Sequence, residues 1–381
     1  MLMPTTPEEL EQIADAPHAE ADDLAGTFAL QGNPAPRPQA ELDEILQKPG
    51  FGVHFADYMA RATWTADAGW HDKQIVPYGP LSLDPAGAVL HYGQEVFEGL
   101  KAYVHDDGSL WTFRPAYNAA RLNFSNYRLA IPELPVDDFL ASIVDVVRAN
   151  ARWVPAKEGA SLYLRPYIFA SEAFLGVRAA AKYEYLCIAS PAGPYFPNGF
   201  TPINVWVEQD FHRAGPGGMG AVKTGGNYAA SLLPKVTAAR EHYDEVLFLD
   251  AATNTNLDEF GGMNVFVVYA DGRVRTPRLT GNILPGNTRS CIMQLLRRRG
   301  VDVAEDTLAL ADVIAGIKSG EVSEMFACGT AAVVTAVGSL TGADFKVELP
   351  THEVSQSVYD ELTGIQAGKV DDEFGWLYRI G

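Results

Sequence analysis

Ser190–Pro202 reads SPAGPYFPNGFTP, with four prolines and two glycines in thirteen residues. Proline lacks an amide hydrogen and fixes φ, so a stretch this rich in it breaks regular structure. Patterned apolar sequence lies on both sides, which makes the stretch a linker between two domains. A chain of 381 residues is long enough for two cores. The expected division is an arm over 1–48, a small α/β domain over 49–190, the linker over 191–202 and a large domain over 203–381.

Working back from the linker, KYEYLCIAS and SLYLRPYIF read as strands, and PVDDFLASIVDVVRANARWV as an amphipathic helix with acids in its first turn. Asp107-Gly108 between two apolar runs signals a hairpin. The first 48 residues hold ten Asp/Glu against two Lys/Arg, the composition of a mobile or draped arm. Working forward, strands are expected at 203–207, 245–249 and 264–269. Helices are expected near 229–242, 289–299 and 352–363, with Pro234 kinking the first or delaying its start. The class is α+β.

Composition excludes several functions. A net charge of −19 opposes a nucleic-acid partner, because phosphate contacts need clustered Lys and Arg. Cys187, Cys291 and Cys328 form no CxxC pair, and the eight histidines have no ligand spacing, so no metal site is expected. No apolar run reaches a membrane span and the first residues have no leader pattern, so a cytoplasmic location is expected.

Chemistry enters with GGMGAVKTGGNY, Gly217–Tyr228, where one lysine, Lys223, sits among five glycines. GPGGMG just before it matches G-x-G-x-x-G, but no strand leads in and no helix follows directly, so it is not a dinucleotide loop. Ala221 and Val222 separate Gly220 from Lys223, which breaks the P-loop spacing. Alone, the segment is most simply a glycine-rich surface loop. Other segments supply what a lysine that bonds pyridoxal phosphate needs. Pro285-Gly286-Asn287-Thr288 precedes an amphipathic helix whose free N–H groups suit a phosphate, and Thr330 adds a hydroxyl. Asp258 or Glu259 could hold the pyridine proton, and Tyr228 the ring hydroxyl. Tyr163 and Arg165 lie two apart on a strand, hence on one face, where an arginine needs an anion.

In order along the chain, HYGQEVFEGLKAY, FRPAYNAARL, SLYLRPY, FLGV, GPYFPNG, AVKTGGNYAASL, NLDEFGGMN, ILPGNTR and FACGTAAV resemble the branched-chain amino acid aminotransferases. These belong to the fold-type IV family of pyridoxal-phosphate enzymes, whose architecture (that of D-amino acid aminotransferase) is two α+β domains with the cofactor at their interface. The resemblance makes the large domain the cofactor-binding one. It makes Lys223 the lysine that bonds the cofactor and shuttles the proton, and it selects Glu259 over Asp258 as the pyridine partner. It places Tyr228 on the ring hydroxyl, Leu284 against the ring, and Arg121, Asn287, Thr288 and Thr330 around the phosphate. Phe97, Tyr163, Tyr195 and Tyr92 become the apolar substrate wall. Arg165 becomes the receiver of the distal carboxylate of glutamate, and Ala331, beside Thr330, meets the α-carboxylate. Leu175 and Val177 resemble residues that enter a neighbouring subunit's site, which implies a homodimer or a higher homo-oligomer. Ala332 and Thr335 stand where animal members carry a redox cysteine pair, and Gly262 where some members have threonine.

The resemblance implies ping-pong transfer of the amino group of leucine, isoleucine or valine to 2-oxoglutarate. Two rivals share the fold, a D-amino acid aminotransferase and an aminodeoxychorismate lyase. A non-catalytic binder of a phosphorylated ligand is the alternative from a different class, and it would have no need of Lys223.

Overall fold

The computed structural model describes residues 3–195 and 200–381. Residues 196–199 of the expected linker lie outside them. The chain divides into two compact units, Met1–Tyr195 with Gly364–Gly381, and Phe196–Thr363. The α+β class holds in each unit. One boundary differs from expectation: the last eighteen residues pack with the first unit, because Leu377–Arg379 pairs with one of its strands.

In the first unit, strands β1 (Ala29–Leu30), β2 (Tyr58–Thr65), β3 (Gly69–Pro77), β4 (Glu95–Phe97), β5 (Leu100–Val104), β6 (Leu110–Phe113), β7 (Ser161–Ala170) and β8 (Lys182–Ala192) join Leu377–Arg379 in a nine-stranded sheet. Its order is β1-β3-β2-β8-β7-β5-β6 and then the C-terminal strand, with β4 also on β7. All pairs are antiparallel except β1–β3. The hairpin between β5 and β6 turns at Gly108, whose φ of 82° suits a residue without Cβ. Strand β8 continues through Pro191 to Ala192, two residues into the expected linker.

Helices α1 (Pro7–Ala14), α2 (Gln39–Gln47), α3 (Pro115–Arg128) and α4 (Val136–Ala149) complete the unit's framework. The acidic arm is anchored rather than mobile. Thr6 and Glu9 form a capping box that starts α1, and Leu10 is buried against Tyr117 of α3. Glu11 and Asp15 pair with Arg114, just before α3, while Phe28 and Leu42 join the main core. A few well-spaced apolar residues thus outweigh the charged composition.

In the second unit, β9 (Ile203–Glu208), β10 (Glu245–Leu249), β11 (Leu257–Phe260), β12 (Asn264–Tyr269), β13 (Val274–Pro277), β14 (Val303–Asp306), β15 (Val322–Gly329), β16 (Val333–Thr341) and β17 (Lys346–Glu348) form a second nine-stranded sheet. It is mixed: β9 pairs in parallel with β10 and β16, and β13 with β14. Valines and leucines of these strands pack against Leu310, Val313 and Ile317. The unit's helices include α5 (Gly225–Arg240), α6 (Asn287–Arg298) and α7 (Leu310–Ser319). Helix α5 begins at Gly225, earlier than expected, and runs through Pro234. Proline costs the Ala230 carbonyl its helical partner, and Ala230 is exposed, where water can replace it.

Candidate active site

Strand β11, the Gly261–Met263 turn and β12 build the centre of the second unit's site. The turn is closed by Phe260 N–H donating to the Met263 carbonyl at 2.9 Å. Successive strand residues face opposite ways, so Glu259 faces away from Asp258. Glu259 lines a cavity with Arg213, Val222, Tyr228, Gly261, Gly262 and Leu284. Its carboxylate is buried and held on both oxygens, with Oε2 accepting from one donor only among these contacts. Leu284 N–H donates to Oε1 at 3.0 Å, Asn264 Nδ2 donates to Oε2 at 3.2 Å, and Arg213 forms an ion pair with Oε1. Arg213 is itself buried and donates to the carbonyls of Gly220 at 3.0 Å and Asn282 at 2.5 Å. Burial pushes the Glu259 carboxyl up from its ordinary value, and Arg213 is the strongest influence in the opposite direction. Asp258 is pushed up to about 7, first by burial and then by the charge of Glu259.

Lys223 is half-buried in the loop before α5, and its Nζ donates to Tyr228 Oη at 2.7 Å. Thr224 is the residue before the helix, and Asn227 ties the loop down by donating to the carbonyls of Met219 and Val222 at 2.7 and 2.8 Å. The glycines have a packing reason as well. A Cβ on Gly220 would stand 2.1 Å from the Asn282 carbonyl oxygen, so two backbones meet there and only glycine fits. Three residues beyond Leu284, Asn287 and Thr288 begin α6, whose N-terminus carries the positive end of the helix dipole. Thr330 and Ala331 lie in the turn between β15 and β16. Val333, at φ 61°, is a β-branched residue in the left-handed region, a strain characteristic of functional turns.

The first unit carries two further groups. Arg121, on α3, is 3 % exposed and Glu98 is fully buried. They meet in a bidentate pair, Nε to Oε1 and Nη2 to Oε2, both 2.8 Å. Asn118 Nδ2 at 2.8 Å and Gly99 N–H at 3.2 Å also donate to Glu98 Oε2. In the second group, the Arg165 guanidinium lies 4.8 Å from the Phe97 ring centre and 5.4 Å from that of Tyr163. Its Nη2 donates to Tyr163 Oη at 3.1 Å, and its buried Nε has no acceptor among the described residues. The Tyr163 hydroxyl occupies the space a side chain at Gly99 would need, 2.1 Å from an added Cβ.

The remaining expected substrate residues are more open. Tyr92 is 40 % exposed and its hydroxyl donates to the carbonyl of Leu175. Leu175 and Val177 are largely exposed and Tyr195 is half exposed, so none of the three is held in a pocket of its own unit. Sequence reading missed Arg213, Glu98 and Asn264. Glu98 had a signal, a lone acid inside the otherwise apolar VFEGL. Arg213 lay in a glycine-rich loop that offers no periodicity, and Asn264 resembled an ordinary strand start.

The sequence model of the amino-transferase class IV family matches residues 95–340. A probable branched-chain-amino-acid aminotransferase of Streptomyces coelicolor is 48 % identical over 358 residues, covering 93 % of this chain and 99 % of the relative. The branched-chain-amino-acid aminotransferase of Mycolicibacterium smegmatis is 46 % identical, covering 93 % and 98 %. Among solved structures, the branched-chain amino acid aminotransferase of Escherichia coli superposes with a TM-score of 0.71 at 28 % identity, covering 85 % of this chain and 99 % of that one. The family match takes in β4 through most of β16 and includes Lys223, Glu259 and the start of α6, so the chain belongs to the class IV aminotransferases.

Proposed function

We propose that the chain transfers the amino group of L-leucine, L-isoleucine or L-valine to 2-oxoglutarate, reversibly and with pyridoxal 5'-phosphate as cofactor. The observation that carries this reading is the second unit's donor set. A buried carboxylate, a phenol in contact with a lysine amine, and a helix start three residues beyond Leu284 match a basic ring nitrogen, an acidic ring hydroxyl and a phosphate. When bound, the cofactor supplies an electron sink for the pair released as the Cα–H bond of the amino acid breaks.

Glu259 holds the proton on the ring nitrogen, and Arg213 keeps its carboxylate charged for that task. Tyr228 orients the ring hydroxyl, and Leu284 packs on the ring. Asn287, Thr288, Thr330 and Arg121 hold the phosphate, with Glu98 fixing the angle of the Arg121 fork. Lys223 holds the cofactor covalently at rest. Once freed, its amine would take the proton from the substrate Cα as general base and give it up as general acid on the cofactor side, not back to Cα. Tyr228 Oη, 2.7 Å from that amine, aims it.

Phe97, Tyr163, Tyr195 and Tyr92 form an apolar wall for a branched side chain, and Ala331 meets the α-carboxylate. Arg165 receives the distal carboxylate of 2-oxoglutarate, supported by its buried Nε, which lacks an acceptor among the described residues. The reading includes a homodimer in which Leu175 and Val177 reach the neighbouring subunit's site, and a cytoplasmic location. No described helix is long and apolar enough to cross a membrane.

The test is amino transfer from L-leucine to 2-oxoglutarate, run beside D-alanine as donor. Wild type should use L-leucine and not D-alanine, and Lys223→Ala should lose at least about 10³-fold in kcat, on the order expected for losing the acid–base group. Transfer from D-alanine alone, or wild-type turnover by Lys223→Ala, would overturn the proposal.

A further inference from the structure

Asn264 opens β12 and is 5 % exposed. A primary amide has two N–H donors, and here Nδ2 serves both Glu259 Oε2 at 3.2 Å and the Leu284 carbonyl at 3.0 Å. Leu284 N–H donates in turn to Glu259 Oε1, so Glu259, Leu284 and Asn264 close a ring of three hydrogen bonds. The Asn264 Oδ1 points the other way, against Gly286. A Cβ added there would stand 2.0 Å from it, so the residue that caps α6 must be glycine while Asn264 is in place. Through β12, Asn264 also pairs with Cys328, two residues before Thr330.

From these contacts we propose that Asn264 is a positioning residue, locking the Glu259 carboxylate, the Leu284 backbone and the first turn of α6 into one rigid set. The proposal rests on reading this site as the pyridoxal-phosphate site. A cofactor held by its ring nitrogen at one end and its phosphate at the other needs those two anchors at a fixed spacing. One side chain that touches both anchors fixes it more firmly than two independent loops. The amide also favours the charged carboxylate, since a donor to the ionised form stabilises that form. The other titratable or charged groups near Glu259 are Arg213, Lys223, Arg289, Cys328 and its neighbour Asp258.

The experiment titrates pyridoxal phosphate into the cofactor-free full chain, by absorbance and tryptophan quenching, between pH 5.5 and 9 (a working range). It compares wild type with Asn264→Asp, Asn264→Ala and Gly286→Ala, each checked for folding by circular dichroism. Asn264→Asp keeps the shape and the oxygen against Gly286 but replaces the donor facing Glu259 with a carboxyl oxygen. Its Kd should rise about tenfold or more at pH 8, and the acid-side midpoint of binding should move to higher pH. Asn264→Ala should move both in the same direction. Gly286→Ala, which pushes Asn264 off its seat, should weaken binding comparably.

A residue that only fills space would leave the midpoint unmoved in Asn264→Ala, which removes the donor to Glu259 without adding a charge beside it. If that variant does not fold, Gly286→Ala decides by the same two readouts. Wild type that does not bind pyridoxal phosphate sinks the functional reading. Wild type that binds it, while every folded variant matches it within about twofold and at the same midpoint, sinks the role of Asn264 alone; a twofold change is within the scatter of a surface-level effect.

Discussion

In the first unit Glu98 grips Arg121 through two parallel hydrogen bonds of 2.8 Å, whereas in the second Arg213 grips Glu259 from one side and a backbone amide and Asn264 donate to it as well. Both are buried carboxylate–guanidinium pairs, assembled in opposite senses. On the proposed reading, the arginine is the working group in the first pair and the glutamate in the second, and the partner of each fixes its direction and charge. The difference matters because the two charges respond unequally to losing a partner. A guanidinium cannot shed its proton in the accessible pH range, while a buried carboxylate can take one up.

That inequality can be broken experimentally, and the largest effect belongs to Glu98→Ala. It removes the bidentate partner of the Arg121 charge, which has no discharged form available, so urea unfolding should report a loss of about 3–5 kcal/mol that changes little with pH. A loss below about 1 kcal/mol would mean that water or another acceptor replaces Glu98 freely.

Arg213→Met should cost less, about 1–3 kcal/mol at pH 8, because Glu259 can neutralise itself. Its deficit should also depend on pH in a fixed direction. Burial already holds the Glu259 carboxyl above its ordinary value, and removing Arg213 raises it further. The folded variant then binds more protons than the unfolded chain between the ordinary carboxylate range and the raised value. Stability therefore falls as pH rises through that window, and the deficit should be smaller at pH 5 than at pH 8. A deficit that grows toward acid would contradict the assignment.

The smallest effect is expected of Asp258→Asn. With its carboxyl pushed up to about 7, Asp258 contributes stability at low pH that is lost as pH climbs from the ordinary range toward 7. An amide does not titrate, so the variant's stability profile between pH 5 and 8 should be flatter than wild type. The change at pH 5 should stay within about 1 kcal/mol. An unchanged slope would mean that Asp258 is ionised throughout.

What the sequence made legible follows the same physical divide. Periodicity located the strands around the site and the helix after Asn287, because burial of one face repeats along the chain. Lys223, Tyr228 and Glu259 could be named from residue chemistry and ordered motifs. Arg213 could not, and Glu98 showed only as an acid in an apolar run, because each is defined by a contact with a residue more than twenty positions away. Asn264 lies only five residues from Glu259, yet its meaning depends on Leu284 and Gly286 arriving from another stretch. The arm's composition left mobile and draped both open for a related reason: Leu10 and Phe28 are two apolar residues among many acids, and only the surfaces they meet reveal their weight.

The pairing of Leu377–Arg379 with β6 affects the order in which the protein can be made. Ile380 fills the core of the first unit, and Arg148 of α4 donates to its carbonyl at 2.7 Å. The first unit to leave the ribosome therefore waits, with one sheet edge open and a gap in its core, while the whole second unit is synthesised. An open edge of this kind invites pairing with other chains. During biosynthesis an edge open to such pairing is thus on the half made first, and its cover arrives last.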